Sequence, residues 1–212
     1  MMRVVFVFAL ILNLLTAGCV SSYSEIYEGE DIYPNKSYNQ FQLINSKNES
    51  FNSSTLDGRV VVVNFFLTNC QDACPTITTD LKLLYDDFTS DLEENLSFIS
   101  ISVDPWRDGP SDLVDYMAFF NTSWTYLTTE DFIDGDFSLV EQIWTDFGIG
   151  VVLTESENST SVSGRGHTVY YDVEHTNGIV IVGKDGLQKV RWDEDNWHLE
   201  GIKSDLEFIL SE

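Results

Sequence analysis

Cys70-Gln71-Asp72-Ala73-Cys74 sets two thiols apart by three residues, a spacing open to three chemistries. A disulfide between them would be a weak structural support, because closing so short a loop removes little entropy from the unfolded chain. A redox-active pair needs the two sulfurs alone, one of them with a lowered pKa, and such a thiolate is also what peroxide reduction calls for. A metal site needs both thiolates and further ligands. Zinc in a closed tetrahedral site takes four, and no obvious fourth soft or imidazole ligand is at hand, whereas copper(I) prefers soft ligands and accepts three. Imidazoles come only from His167, His175 and His198. His167 lies in a Gly-rich stretch and His198 stands beside Trp197, and both read as ordinary surface or hydrogen-bonded histidines.

The elements around the pair decide what those sulfurs meet. Residues 60–67 (VVVVNFFL) are apolar except for Asn64, the pattern of a strand buried on both faces in a mostly parallel sheet. After Pro75, residues Ile77, Leu81, Leu84, Tyr85 and Phe88 recur at helical spacing, and proline belongs in a helix's first turn, so a helix is predicted to start beside it. Cys70 and Cys74 then sit on the turn into that helix, where unpaired N–H groups and the helix dipole favour a thiolate.

Residues 96–103 alternate and predict a second parallel strand reached by a right-handed crossover. Ser111 is a candidate cap for a helix bearing Leu113, Met117 and Phe120, and a helix with Val140, Ile143 and Phe147 should stop at Gly148. An edge strand is expected at 41–44, a short strand at 124–127 and an exposed loop at 155–166. Residues 168–173, 178–182 and 187–192 read as further strands of the sheet, the last two joined by a turn at 183–186, with a closing helix at 199–210. The sum is an α/β, thioredoxin-like fold: a central mixed sheet flanked by helices, with an N-terminal strand or hairpin extension. In such a sheet the segment feeding strand 178–182 lies over the helix that carries the cysteines, which makes His175 the best-placed imidazole. Because that segment and the cysteine pair are about a hundred residues apart, it is expected to stay loose until a metal orders it.

Residues 4–17 form an almost unbroken apolar run behind Arg3, short for a bilayer span but normal for the core of a signal peptide. The run ends in Leu15-Thr16-Ala17-Gly18-Cys19, which resembles a lipobox, where the cysteine is lipidated and becomes the mature N-terminus. The expected organisation is a signal peptide over 1–18, a lipidated, poorly ordered tether over 19–39 and one domain over 40–212. A net charge of −24 argues against nucleic acid as a partner, since that would require a basic face.

Leu56-Asp57-Gly58-Arg59, residues 65–75 (FFLTNCQDACP), 102–108 (SVDPWRD), 171–175 (YDVEH) and 183–186 (GKDG) follow one another in an order that resembles the Sco/SenC family of copper-binding, thioredoxin-like proteins. The likeness runs from about Phe41 to the last helix. The family's two copper-ligating cysteines, also its redox-active pair, fall on Cys70 and Cys74, and its distant copper-ligating histidine on His175. Gln71, Glu174, Phe66 and the long 155–166 segment depart from the usual pattern but leave those three residues intact. The resemblance implies copper as the bound metal and a membrane-tethered metallochaperone rather than a turnover enzyme. Its task would be to deliver copper to, or maintain the thiols of, the binuclear copper site of a respiratory terminal oxidase, with that oxidase's copper-accepting subunit as partner. Its place would be extracytoplasmic, on the outer face of the cytoplasmic membrane, held by lipid on Cys19. The alternative is an exported thiol-disulfide oxidoreductase of thioredoxin type without obligatory metal.

Overall fold

The computed structural model describes residues 26–70, 73–92, 94–129, 137–155, 162–164, 167–169 and 171–212. In chain order the strands are β1 (Glu30–Lys36), β2 (Gln42–Asn45), β3 (Ser50–Asn52), β4 (Val60–Phe66), β5 (Leu96–Ser102), β6 (Thr125–Thr128), β7 (Val151–Glu155), β8 (Val162–Gly164), β9 (His167–Val169), β10 (Tyr171–His175), β11 (Gly178–Val182) and β12 (Gln188–Asp193). The helices are α1 (Ala73–Asp87), α2 (Pro110–Phe120), α3 (Ser138–Asp146) and α4 (Leu199–Ser211). None of the described helices is long and apolar enough to cross a membrane.

Eight strands make the main sheet in the order β1-β12-β11-β4-β5-β6-β2-β3. β4, β5 and β6 run parallel, β11 adds antiparallel to β4, and β12 adds antiparallel to β11. Every residue of β4 is buried, as its apolar run requires. Val60, Val62 and Phe66 face a core shared with Leu81 and Leu84 of α1, Leu113 of α2 and Ile202 and Leu206 of α4. Val61, Val63 and Phe65 face the other way, into a core with Val140 and Ile143 of α3 and with Phe147 just past its end. Helices on both faces explain why β4 shows no polar alternation. Its one polar side chain, Asn64, donates to Ser100 Oγ at 3.2 Å.

Four sequence expectations change. Residues 30–36, expected in the tether, form β1 against β12. The residues leading into it are held by Asp205 of α4, whose buried carboxylate accepts from Glu28 N at 2.8 Å, Gly29 N at 3.0 Å and Trp192 Nε1 at 3.0 Å. The strand expected at 41–44 is not an edge: β2 lies between β6 and β3. Ser111 is not the cap of α2, because the helix already begins at Pro110 after Gly109, whose N–H bonds Asp112 Oδ2 at 2.8 Å. The described residues of 168–173 do not join the main sheet. They divide between β9, paired with β8 inside the expected loop, and β10, paired with β7 in a separate ribbon. Gly148 follows α3 with φ +66°, the left-handed conformation its expected helix-ending role needs.

Candidate functional site

β4 stops at Phe66 and a short turn, closed by Cys70 N donating to Leu67 O at 3.4 Å, sets Cys70 just outside the sheet. α1 begins at Ala73, earlier than Pro75 implied, because proline's missing N–H costs nothing within the first turn. Cys74 is therefore helical, and at 2% exposure it is buried, while Cys70 is half-buried. The two sulfurs are joined as a disulfide, with the Cα atoms 5.9 Å apart.

His175 ends β10 with its Nε2 3.8 Å from Cys74 Sγ. Its Nδ1 lies 3.0 Å from the Thr176 carbonyl oxygen, an acceptor, so Nδ1 carries the proton and Nε2 presents its lone pair toward the sulfur. Burial holds the imidazole pKa below its ordinary value, against smaller upward pulls from the Thr176 carbonyl and Glu194, so the ring is neutral at pH 7. Asn177 Oδ1 stands at 3.8 Å from the same sulfur, and its Nδ2 donates to Glu194 Oε2 at 2.9 Å.

The segment carrying His175 is not loose, contrary to the sequence expectation. β10 forms a ladder with β7 from Tyr171↔Glu155 to His175↔Val151, and Thr176 N donates to Gly150 O at 3.0 Å. Gly178 then turns the chain into β11 at φ +131°, where a Cβ would lie 2.0 Å from the Trp192 carbonyl oxygen. Only glycine lets the chain pass so close. The imidazole is thus beside the cysteine pair while the sulfurs are still bonded to each other. In this disulfide form no group of three His, Cys, Asp or Glu side chains is gathered for a metal among the described residues.

Of the other expected residues, Cys19 lies outside the described residues. His198 caps α4, its Nδ1 accepting from Gly201 N at 3.2 Å, which accords with a hydrogen-bonded histidine. His167 belongs to β9.

A buried polar cluster that the sequence did not single out for a role joins the two halves of the site. Asp108, fully buried, accepts from Thr68 Oγ1 at 2.5 Å, Thr68 N at 3.2 Å and Ser102 Oγ at 2.6 Å. Thr68 is two residues before Cys70. Asp104, equally buried, pairs with Arg107 and accepts from the Tyr171 hydroxyl at 2.5 Å. Arg107 also donates from Nη1 to the Tyr171 carbonyl at 3.1 Å and stacks on that ring, 4.2 Å from its centroid. Tyr171 opens the strand that His175 closes. One loop after β5 therefore grips the cysteine segment with Asp108 and the histidine strand with Asp104 and Arg107. The signal was present in Asp104, Arg107 and Asp108 following an apolar strand, where charge is costly unless it is paired.

Burial, and then the neighbouring Asp104 carboxylate, push the Asp108 pKa up to about 7. The folded form then keeps a proton that an unfolded aspartate releases near pH 4. Folding takes up that proton between those values, so this group's contribution to stability falls as pH rises from about 4 to about 7. Urea unfolding of Asp108→Asn should show a stability difference between pH 4.5 and pH 7.5 that is smaller than the wild type's by roughly 2–4 kcal/mol. Parallel pH profiles for the two proteins would refute this.

A profile of the SCO1/SenC family matches residues 30–209. A protein of Stutzerimonas stutzeri described as copper-binding is 27% identical over 148 residues, which cover 69% of this chain and 64% of that protein, so this chain spans less than two thirds of that relative. Among solved structures, Bradyrhizobium japonicum ScoI with copper bound has a TM-score of 0.65 at 21% identity, covering 82% of this chain and 99% of that one. BsSco, a member of the Sco family of cytochrome c oxidase assembly proteins in which a disulfide switch was identified, has a TM-score of 0.62 at 22% identity, covering 89% and 99%. Those likenesses establish the thioredoxin-like Sco fold. The match from the first strand to the last helix settles the membership: this chain belongs to the SCO1/SenC family.

Proposed function

We propose that this chain is a copper metallochaperone whose cargo, copper(I), is held by the thiolates of reduced Cys70 and Cys74 and by His175 Nε2. The observation that carries this reading is the 3.8 Å approach of Nε2, unprotonated, to Cys74 Sγ. A neutral imidazole beside two soft sulfurs is a donor set that suits copper(I) and leaves a closed zinc site one ligand short. The copper-bound ScoI relative and the oxidase-assembly role of BsSco's family support the same direction. The acceptor is the copper-accepting subunit of a respiratory terminal oxidase. The chain works outside the cytoplasm, tethered by lipid on Cys19, a placement in keeping with a SCO1/SenC lipoprotein of Bacillus anthracis.

A disulfide offers no thiolates, so copper and the Cys70–Cys74 bond exclude each other. Titration of the purified chain with copper(I) should give one equivalent for the dithiol form and none for the disulfide form. Equal binding by both would sink the proposal. The disulfide seen here also supports the second reading, a thiol-disulfide oxidoreductase without obligatory metal. Multiple turnovers of a protein disulfide with a thiol donor, in the presence of a copper chelator, would favour it.

A further inference from the structure

The disulfide is lopsided. Cys74 faces inward, against His175 and Asn177, with 2% of its surface exposed. Cys70 instead forms part of the wall of a groove of about 520 Å³ between the start of α1 and the outer face of α2. Pro75 lines it on the α1 side, and Asp112, Asp115, Phe119 and Phe120 line it on the α2 side. Phe119 is 83% exposed, an unusual position for so large an apolar side chain, and it meets Phe120 edge to face with ring centroids 4.9 Å apart. Asp112 is fixed in place by its bond from Gly109 N, and Asp115 lies one turn further along the same face. The groove thus combines an accessible sulfur, an aromatic shelf and two acidic side chains.

We propose that this groove docks a cysteine-bearing segment of a protein partner, apolar where it lies on Phe119 and Phe120 and basic where it faces Asp112 and Asp115. The inference rests on the thiol chemistry of the site, not on its copper ligation. A thiol partner is called for because the sulfur at the groove is the attackable one of the pair. A basic partner is called for because the groove's charged side chains are both acidic, and because a second copy of this chain would bring a net charge of −24 against the same charge. In the exchange, a partner thiolate attacks Cys70 Sγ, the new bond joins Cys70 to the partner, and the old bond breaks with its electron pair leaving on Cys74. The partner's second thiolate then attacks the partner sulfur of that mixed disulfide and releases the Cys70 thiolate. The partner dithiol is oxidised to a disulfide and this chain's disulfide is reduced to a dithiol, two electrons in all. The reverse reaction passes through the same mixed disulfide and the same groove.

The test uses the full chain with Cys74→Ser and with Cys70 carrying a thionitrobenzoate group, whose release is followed by absorbance. Two peptides, Lys-Leu-Cys-Leu-Lys and Glu-Ser-Cys-Ser-Glu, serve as attacking thiols, each rate divided by that peptide's rate with a free aryl disulfide. The basic, apolar peptide should react about tenfold faster, a margin that high salt reduces. Phe119→Ser and Asp115→Lys should each cut that preference at least by half, while Glu207→Lys on α4, with the same change in net charge, should not. If Asp115→Lys and Glu207→Lys behave alike, or if the two peptides react equally, the docking site is refuted. Copper(I) titration of Phe119→Ser and Asp115→Lys with both cysteines present should match the wild type, so failure here is separable from failure of the copper reading.

Discussion

Replacing His175 with alanine should weaken copper(I) binding by roughly a hundredfold or more, and replacing Cys70 or Cys74 with serine should abolish binding at the site. Loss of a group that only orients a ligand already costs about 10–100-fold in metal affinity, and removal of a ligand should exceed that. His175 is poised for the role by three local causes. Its Nδ1 proton is held by the Thr176 carbonyl, its burial keeps the ring neutral, and the β7–β10 ladder fixes the strand it ends. With the imidazole gone, two thiolates remain, enough to hold copper(I) but not to match the three-donor affinity. Competition with a chromogenic copper(I) chelator measures the change. A His175→Ala protein that competes as well as the wild type would remove the imidazole from the site and leave the dithiol oxidoreductase as the better description.

Asp104→Ala should destabilise the fold by roughly 3–5 kcal/mol, the range for breaking a buried ion pair from one side. The carboxylate has no exposed surface and satisfies both the Arg107 guanidinium and the Tyr171 hydroxyl. Without it a buried cation remains, and the Tyr171 hydroxyl loses its acceptor. Urea unfolding gives the stability, and a loss below about 1 kcal/mol would mean that the pair contributes no more than a surface contact. The same substitution frees the start of β10, so copper affinity should fall as well, although Asp104 touches neither cysteine. Asp104→Asn, which keeps an acceptor for the tyrosine, should recover part of the affinity.

What was legible in the sequence follows from how local its cause is. The seven buried residues of β4 announce themselves because both faces are covered, and the helix after Pro75 because its apolar stripe has one face to fill. β1 was hidden because EDIYPNK has no apolar alternation. Its place is set by backbone pairing with β12 and by Asp205, some 176 residues further along the chain. Residues 171–173 of β10 could be read as part of a strand, but an alternating pattern is the same whichever neighbour it pairs with, and that neighbour proved to be β7. The ordered approach of His175 to Cys74 was missed for a related reason. The order comes from the β7 ladder, from Gly150 and from the Asp104 cluster, all remote in sequence. The cysteine pair and His175 were legible as candidates, whereas the buried acidic residues were marked only by Asp104 and Asp108 following an apolar strand, and the partners they grip lie far along the chain.

The two outermost strands of the main sheet also bear on how copies of this protein behave toward one another. On one side the sheet ends in β3, only three residues long. On the other it ends in β1, where Pro34 offers no N–H, Glu30, Asp31 and Lys36 carry charge, and the register slips between Asp31 and Lys36. Each feature denies a neighbouring sheet the straight row of donors and acceptors that strand addition requires. β1 is therefore a guard against aggregation as much as a part of the fold. A version of the domain begun at residue 40 would strip it away and leave β12, with alternate residues buried, as an open seam for the next molecule to join.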